Sequence, residues 1–263
     1  AMVAEDPSLV LEHNAALNEI VLRGMGELHL RTVLEEILDR YSLEVQTALP
    51  SIAYRETITA AAEAHHRHKK QTGGAGQFGE VYLRIAPLPA GSGFEFKSEV
   101  VGGAIPSQYI PAVESGVKQA MESGASYGYP MQDIKVTVYD GKHHSVDSKE
   151  IAFVQAGKRA FLDAVEKARP IVMEPIVDVT FTIPADCAGG VTGDLSSMRG
   201  MVTGTEILPD TRMVVHGQAP LKEIQGYHSR LKSLTGGDGS FTMDFSHYAE
   251  VPREALDQVA AQN

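Results

Sequence analysis

The stretch from His65 to Leu83, HHRHKKQTGGAGQFGEVYL, constrains the fold more than any other in this 263-residue chain. A cationic run leads into a glycine cluster and then into alternation, with Val81 and Leu83 on one side and Glu80, Tyr82 and Arg84 on the other. A period of two is a strand signal. Gly73, Gly74, Gly76 and Gly79 therefore fall in a turn between an incoming basic strand and an outgoing amphipathic one. Glycines at such a turn let the backbone come close to a partner surface. The same letters satisfy G-x-G-x-x-G at Gly74, Gly76 and Gly79, and with Val81 the kinase pattern G-x-G-x-x-G-x-V. A dinucleotide site needs an apolar strand before the glycines and a helix after them. Here a polar run precedes and a strand follows. A kinase loop needs V-A-I-K, H-R-D and D-F-G downstream, and none of these occurs. Context argues against both nucleotide readings.

The 43% hydrophobic and 22% charged content is that of an ordinary globular chain, and the length allows one large or two to three small domains. No apolar run approaches the roughly 18 residues that span a membrane. No signal-peptide pattern opens the chain, and Ala1-Met2 reads as an added leader before an internal start. The single cysteine, Cys187, excludes an internal disulfide and suits a reducing cytoplasm. A cytoplasmic monomer is expected. The net charge of −11 argues at first against a nucleic-acid partner, but its distribution reverses that. Residues 1–50 hold 3 basic and 9 acidic groups, residues 51–170 hold 14 and 13, and residues 171–263 hold 6 and 12. Phosphate binding depends on local cationic surface rather than on the sum, so only the middle segment suits it.

Along the chain, residues 1–50 read as part of a small α/β unit. A strand is expected at Leu17 to Leu22, a helix at Glu27 to Tyr41 from the spacing of Leu30, Val33, Leu34, Ile37 and Leu38, and a returning strand at Leu43 to Ala48. These elements are too few to enclose a core, which predicts that part of the unit is missing. Residues 51–169 read as a second domain, with strands at 52–60, 64–71, 79–86, 93–101 and 132–139 and helices at 107–123 and from about 148. Asp147 or Ser148 is the expected cap of that second helix, with Glu150 completing a capping box. Residues 170–247 have the order β-α-β-β-α-β of a ferredoxin-like fold, with one helix spanning 220–234. A final helix at 253–261 is assigned to the second domain, giving it residues 51–169 and 248–263.

Two loops draw attention as sites. Beside the glycine loop stands Tyr139 to Ser148, where Asp140-Gly141 is a turn signal that sets Lys142, His143 and His144 at an exposed tip. Amides and short side chains at such loops can approach phosphates or 2′-hydroxyls, and imidazole can stack on a base. Other chemistries are weaker. His65, His66 and His68 could hold a metal only without thiolates, since Cys187 stands alone, and Arg67, Lys69 and Lys70 repel a cation. A hydrolase built on Ser148, His144 and Asp147 would need members converging from separate elements, and no G-x-S-x-G elbow occurs.

Several ordered segments carry a family likeness: Gly24-Met25-Gly26-Glu27-Leu28-His29-Leu30, Ala53-Tyr54-Arg55-Glu56-Thr57-Ile58, Gln71 to Gly79, and Val101-Gly102-Gly103-Ala104-Ile105-Pro106. Tyr109 to Val113, the Tyr139 to Ser148 loop, Gly193-Asp194-Leu195 with Arg199-Gly200, and Gly239-Ser240-Phe241 extend it to the end. Taken together they resemble elongation factor G, a five-domain translational GTPase that moves tRNA and mRNA through the ribosome.

The resemblance implies an α+β multidomain chain. It would comprise a partial, ferredoxin-like third domain at 1–50, a ribosomal-protein-S5-like fourth domain that mimics a tRNA anticodon arm, and a ferredoxin-like fifth domain at 170–247. GTP and Mg²⁺ would belong to a G domain outside this chain, which has no G-x-x-x-x-G-K-[ST]. No cofactor, metal or catalysis is then expected here. The implied partners are the ribosome and its tRNA–mRNA, with no membrane. The tip residues Gly73, Gly74, Ala75, Gly76, Gln77, Lys142, His143 and His144 would enter the small-subunit decoding region, supported by Arg67, Lys69 and Lys70. Gly193, Asp194, Arg199, Gly200, Gly237 and Gly239 would face the large-subunit sarcin–ricin loop and stalk base. Ala75 stands where the family usually has arginine, and His143 beside His144 is less typical. Both differences also fit a paralogue serving ribosome recycling or stress. A drug-displacing ribosomal protection factor would usually carry a different second tip loop.

Overall fold

The computed structural model describes residues 6–14, 19–71, 76–209 and 211–260. In chain order the elements are β1 (Val10–Asn14), β2 (Glu19–Arg23), α1 (Glu27–Tyr41), β3 (Arg55–Ile58), β4 (Ala62–Lys70), β5 (Gln77–Pro87) and β6 (Phe94–Ser98). Then come α2 (Ile110–Ser123), β7 (Ile134–Lys142), α3 (Glu150–Lys167), β8 (Pro170–Pro184), α4 (Ala188–Ser197), β9 (Met201–Ile207) and β10 (Arg212–Pro220). A single helical turn, Leu221–Ile224, precedes α5 (His228–Thr235), β11 (Ser240–Glu250) and α6 (Arg253–Ala260). The chain divides into two compact units: Ala1–Ala53 with Val179–Met243, and Tyr54–Asp178 with Asp244–Asn263.

The second unit is built on a sheet of order β4-β5-β7-β6. Its first two pairings are antiparallel and β6–β7 is parallel. A parallel pair needs a long crossover, and α2 lies in that connection. One sheet face carries Val81, Leu83 and Ile85 of β5 and Ile134, Val136 and Val138 of β7. Together with Val113 and Val117 of α2 and Phe153, Phe161 and Val165 of α3 they form a core closed to water. The two helices meet through glycines. A Cβ on Gly116 would overlap the Val154 carbonyl oxygen, and one on Gly157 would lie 2.8 Å from the Val113 oxygen. Burial of this apolar surface, at about 25 cal/mol per Å², holds the helices on the sheet.

A buried carboxylate closes the same unit. Glu56 of β3 is fully shielded from solvent, and its oxygens accept the backbone N–H of Ser126 (2.9 Å), Tyr127 (3.0 Å) and Tyr129 (2.9 Å). Its own N–H and C=O bond Pro130 and Gln132, so one residue satisfies the loop between α2 and β7. That loop's Tyr129 in turn donates its hydroxyl to the Val259 carbonyl of α6 at 2.8 Å.

In the first unit β1 and β2 form an antiparallel hairpin. The sheet order β11-β8-β10-β9 is 4-1-3-2 when these four strands are counted along the chain, with α4 and α5 as its helices. That is the ferredoxin-like arrangement expected from the element order. Strands β8 and β11 both pass from one unit into the other, and the start of β8 pairs with β3 from Ile58↔Pro170 to Arg55↔Met173.

Four local expectations are corrected. Residues 43–48 form no strand; Leu43, Val45 and Leu49 are exposed. Ser42 ends α1 in the left-handed region, and no strand edge among the described residues pairs with the segment after it. The helix expected over 220–234 breaks at Gly226, whose φ of 81° leaves the helical region. Asp140-Gly141 is no turn, because β7 runs through Lys142. The register slips between Tyr82 and Leu83, so that Asp140 and Val138 face them and Tyr139 is the extra residue of a bulge. Finally, α3 starts at Glu150 with Lys149, not Asp147 or Ser148, at the cap position and no side-chain cap bond, while the Ser148 hydroxyl bonds Phe78.

Candidate nucleic-acid interface

At one end of the four-stranded sheet the β7–α3 loop bonds to the start of β5, the strand that follows the β4–β5 loop. Gly73, Gly74 and Ala75 lie outside the described residues, whereas Gly76 and Gln77 lead into β5. The Phe78 N–H donates to the Asp147 carbonyl at 2.9 Å. The Ser148 hydroxyl donates to the Phe78 carbonyl at 3.0 Å and accepts the His144 N–H at 2.8 Å. Phe78 and Ser148 form a parallel bridge. From the core side, Tyr109 stacks on Phe153 at 4.7 Å and donates its hydroxyl to the Ser148 carbonyl at 3.1 Å. A Cβ on Gly76 would sit 2.9 Å from the Asp147 carboxylate, a contact that a turn of that side chain relieves. Gly79 is likewise pressed onto the Ala152 backbone, 3.2 Å from a built Cβ.

Lys142, His143 and His144 are exposed at this end. Gly141 beneath them is buried, and a Cβ there would overlap the Glu80 carbonyl and the Ile105 side chain. The His144 ring turns back on its own loop, with Nδ1 accepting the N–H of Val146 at 3.3 Å and of Asp147 at 3.2 Å. His143 Nδ1 lies 3.2 Å from the Ala104 carbonyl oxygen.

Of the supporting strand, Lys69 and Lys70 are exposed and, like Lys142, meet no carboxylate among the described residues. Arg67 is committed differently. Its Nε and Nη2 reach Glu80 at 3.0 and 3.4 Å, neutralising a carboxylate that is 1% exposed. Tyr82 donates to the same carboxylate at 3.2 Å, and burial, with Glu80 beside it, pushes the Tyr82 phenol up. His65 stacks on Tyr82 at 4.7 Å and His68 Nε2 meets Gln77 Oε1 at 3.0 Å. Lys69, Lys70 and Lys142 thus leave three uncommitted cations at the tip end. Among the described residues no group of three His, Cys, Asp or Glu could hold a metal ion, and no described helix is long and apolar enough to cross a membrane.

The other candidates lie in the first unit, where much of their charge is spent internally. Asp194 of α4 accepts the Tyr227 hydroxyl at 2.8 Å and the Arg230 guanidinium at 3.0 and 3.3 Å. Arg230 holds its carboxyl below the usual range, and burial with Asp194 pushes the Tyr227 phenol up. Arg199 bonds Glu223 at 3.1 Å. A Cβ on Gly200 would lie 2.6 Å from Leu195, and one on Gly239 would lie 2.7 Å from Thr235. Gly193 and Gly237 face open space.

Residues 50–169, which carry the whole tip, match the family model described as elongation factor G, domain IV. Residues 171–259 match that of the elongation factor G C-terminus, and residues 1–49 that of elongation factor G, domain III. The chain belongs to the elongation factor G family. It is 43% identical over 265 residues to elongation factor G of Petrotoga mobilis, covering 100% of this chain and 38% of the relative. Against elongation factor G of Aquifex pyrophilus it is 44% identical over 258 residues, covering 98% and 37%. A crystal structure from Thermus thermophilus has a TM-score of 0.87 at 41% identity, covering 100% of this chain and 39% of that one. The chain therefore spans well under half the length of these relatives. Sequence reading named both loops but missed Phe78, Tyr109 and Ser148 as the groups that tie the β7–α3 loop to β5 and to the core. Within the Tyr139 to Ser148 loop, the only signal for Ser148 was a hydroxyl that had been assigned to the helix cap.

Proposed function

We propose that this chain is the ribosome-contacting part of an elongation-factor-G-type translation factor, and that its tip acts in movement of tRNA and mRNA. The observation that carries the reading is the joined tip. The β7–α3 loop is bound to the start of β5 at the end of the sheet, with Lys69, Lys70 and Lys142 meeting no carboxylate among the described residues. Free cations at the end of a sheet suit a phosphate backbone, and the exposed imidazoles suit unpaired bases and 2′-hydroxyls. The tip is assigned to Gly73–Gln77 and Lys142–His144 against the small-subunit decoding region. Gly193, Asp194, Arg199, Gly200, Gly237 and Gly239 are assigned to a surface toward the large-subunit sarcin–ricin loop and stalk base. The three domains are divided at 1–50, 51–169 with 248–263, and 170–247. The chain acts as a cytoplasmic monomer, and GTP with Mg²⁺ is the business of domains outside it. Directed cleavage from a probe on Ser145→Cys, in a Cys187→Ser background, tests this. Cuts confined to small-subunit decoding RNA are expected. Bound chain that gives no such cuts would refute the reading.

A further inference from the structure

The two adjacent histidines of the tip bond through the same ring atom in opposite senses. Nδ1 of His143 faces the Ala104 carbonyl oxygen at 3.2 Å. A carbonyl only accepts, so this nitrogen carries the proton. Nδ1 of His144 faces two backbone N–H donors, those of Val146 and Asp147, at 3.3 and 3.2 Å. Two donors require a lone pair, so this nitrogen carries no proton. The Asp147 carboxylate is also near, but at 3.6 Å from Nδ1 it lies beyond the two amides and beyond hydrogen-bond range.

We propose that His143 and His144 are held as opposite neutral tautomers, so that the tip displays one acceptor and one donor. The acceptor is His143 Nε2 and the donor is His144 Nε2–H. Ser148 is the positioning residue, since its hydroxyl receives the His144 N–H and ties that residue to the Phe78 carbonyl. The assignment rests on the tip reading above and names what the tip reads. A phosphate oxygen only accepts and leaves the His143 nitrogen unused. A group that both donates and accepts, the ribose 2′-hydroxyl foremost, suits either ring. Phosphate is left to the free ammonium of Lys142.

Long-range ¹H–¹⁵N imidazole spectra of this chain test the tautomers without any ribosome. The neutral rings should show the proton on Nδ1 of His143 and on Nε2 of His144. The same tautomer at both positions, or the reverse pair, overturns the proposal. Two variants carry the test to binding. His144→Asn keeps an acceptor where Nδ1 stood and loses the outward donor, whereas His144→Gln places an amide N–H where Nε2 stood. His144→Asn should leave the Val146 and Asp147 amide shifts in place yet weaken protection of small-subunit RNA about tenfold, as for one lost hydrogen bond. His144→Gln should move those shifts and weaken protection less. The opposite order overturns the outward-donor assignment. Wild-type chain that binds but protects no such RNA overturns the tip reading instead, while the tautomer result still stands on its own.

Discussion

Glu56→Gln keeps the shape of a fully buried side chain and removes its charge and one acceptor. One carboxylate oxygen receives the N–H of Tyr127 and Tyr129, and the other that of Ser126. The best glutamine rotamer turns its oxygen to the pair and its NH₂ to Ser126. That leaves one backbone N–H orphaned and facing another donor, which costs about 1–3 kcal/mol. The two bonds that remain lose their charge assistance, at about 0.5–1 kcal/mol each. The sum is about 3 kcal/mol, which for a unit of this size lowers the melting temperature by about 10 °C. Scanning calorimetry reads the shift, and a urea titration with unchanged slope shows that the denatured state is not the cause. Glu63→Gln is the control, because that side chain is exposed and should change stability by under about 0.5 kcal/mol. If Glu56→Gln melts within about 1 °C of wild type, the buried carboxylate is not what holds the loop between α2 and β7.

Gly116→Ala gains about 1 kcal/mol of helix propensity but overlaps the Val154 carbonyl and sits 3.0 Å from the Lys158 nitrogen. Forcing α2 from α3 should win by about 2 kcal/mol net, and a urea midpoint that rises would refute the close crossing. Asp194 is held below its usual range by Arg230, so the stability it supplies is present above the unfolded value of about 3.9 and lost as pH falls through the lower folded value. The melting-temperature gap between wild type and Asp194→Asn should therefore shrink below about pH 4; a constant gap would show that the ion pair does not stabilise the fold. Lys69→Glu with Lys70→Glu should reduce the salt dependence of ribosome binding by about two in logarithmic slope, and an unchanged slope removes both lysines from the contact. Ser148→Ala orphans the His144 N–H, so the Phe78, Val146 and Asp147 amides should exchange faster with little change in overall melting. Unaltered exchange would mean that the β7–α3 loop and β5 are joined by other groups.

Periodicity was a sound guide wherever one face of an element meets the core. The alternation in Gln77 to Pro87 and the helical spacing in Glu27 to Tyr41, Ile110 to Ser123 and Glu150 to Lys167 map onto observed elements. It failed where the deciding contact is distant. Leu43 and Val45 alternate as a strand does, but alternation does not supply an edge to pair with. Asp140-Gly141 has the letters of a turn because glycine is favoured both by positive φ and by close approach. Here it is close approach that applies, under Glu80 and Ile105. Nothing within a few residues of position 141 distinguishes the two causes.

The tip shows the same limit at finer grain. Asp147, three residues before Glu150, has the spacing of a capping box, and Ser148 beside it has the other residue type that caps an isolated helix. In the folded chain the hydroxyl is claimed by Phe78, seventy residues earlier, and α3 is left with Glu150 in its first turn to meet the helix dipole. A cap is worth about 1 kcal/mol, comparable to a pair of backbone bonds of which one is half-buried and one exposed, so stability alone does not decide between them. What the observed choice adds is geometry: the β7–α3 loop is tied to the start of β5, and His144 is positioned by a residue that touches neither solvent-facing nitrogen. The same serine that reads as secondary structure in the sequence thus serves to position the tip. The signal that separates the two roles lies in the pairing of β5 with the β7–α3 loop, not in the residues around it.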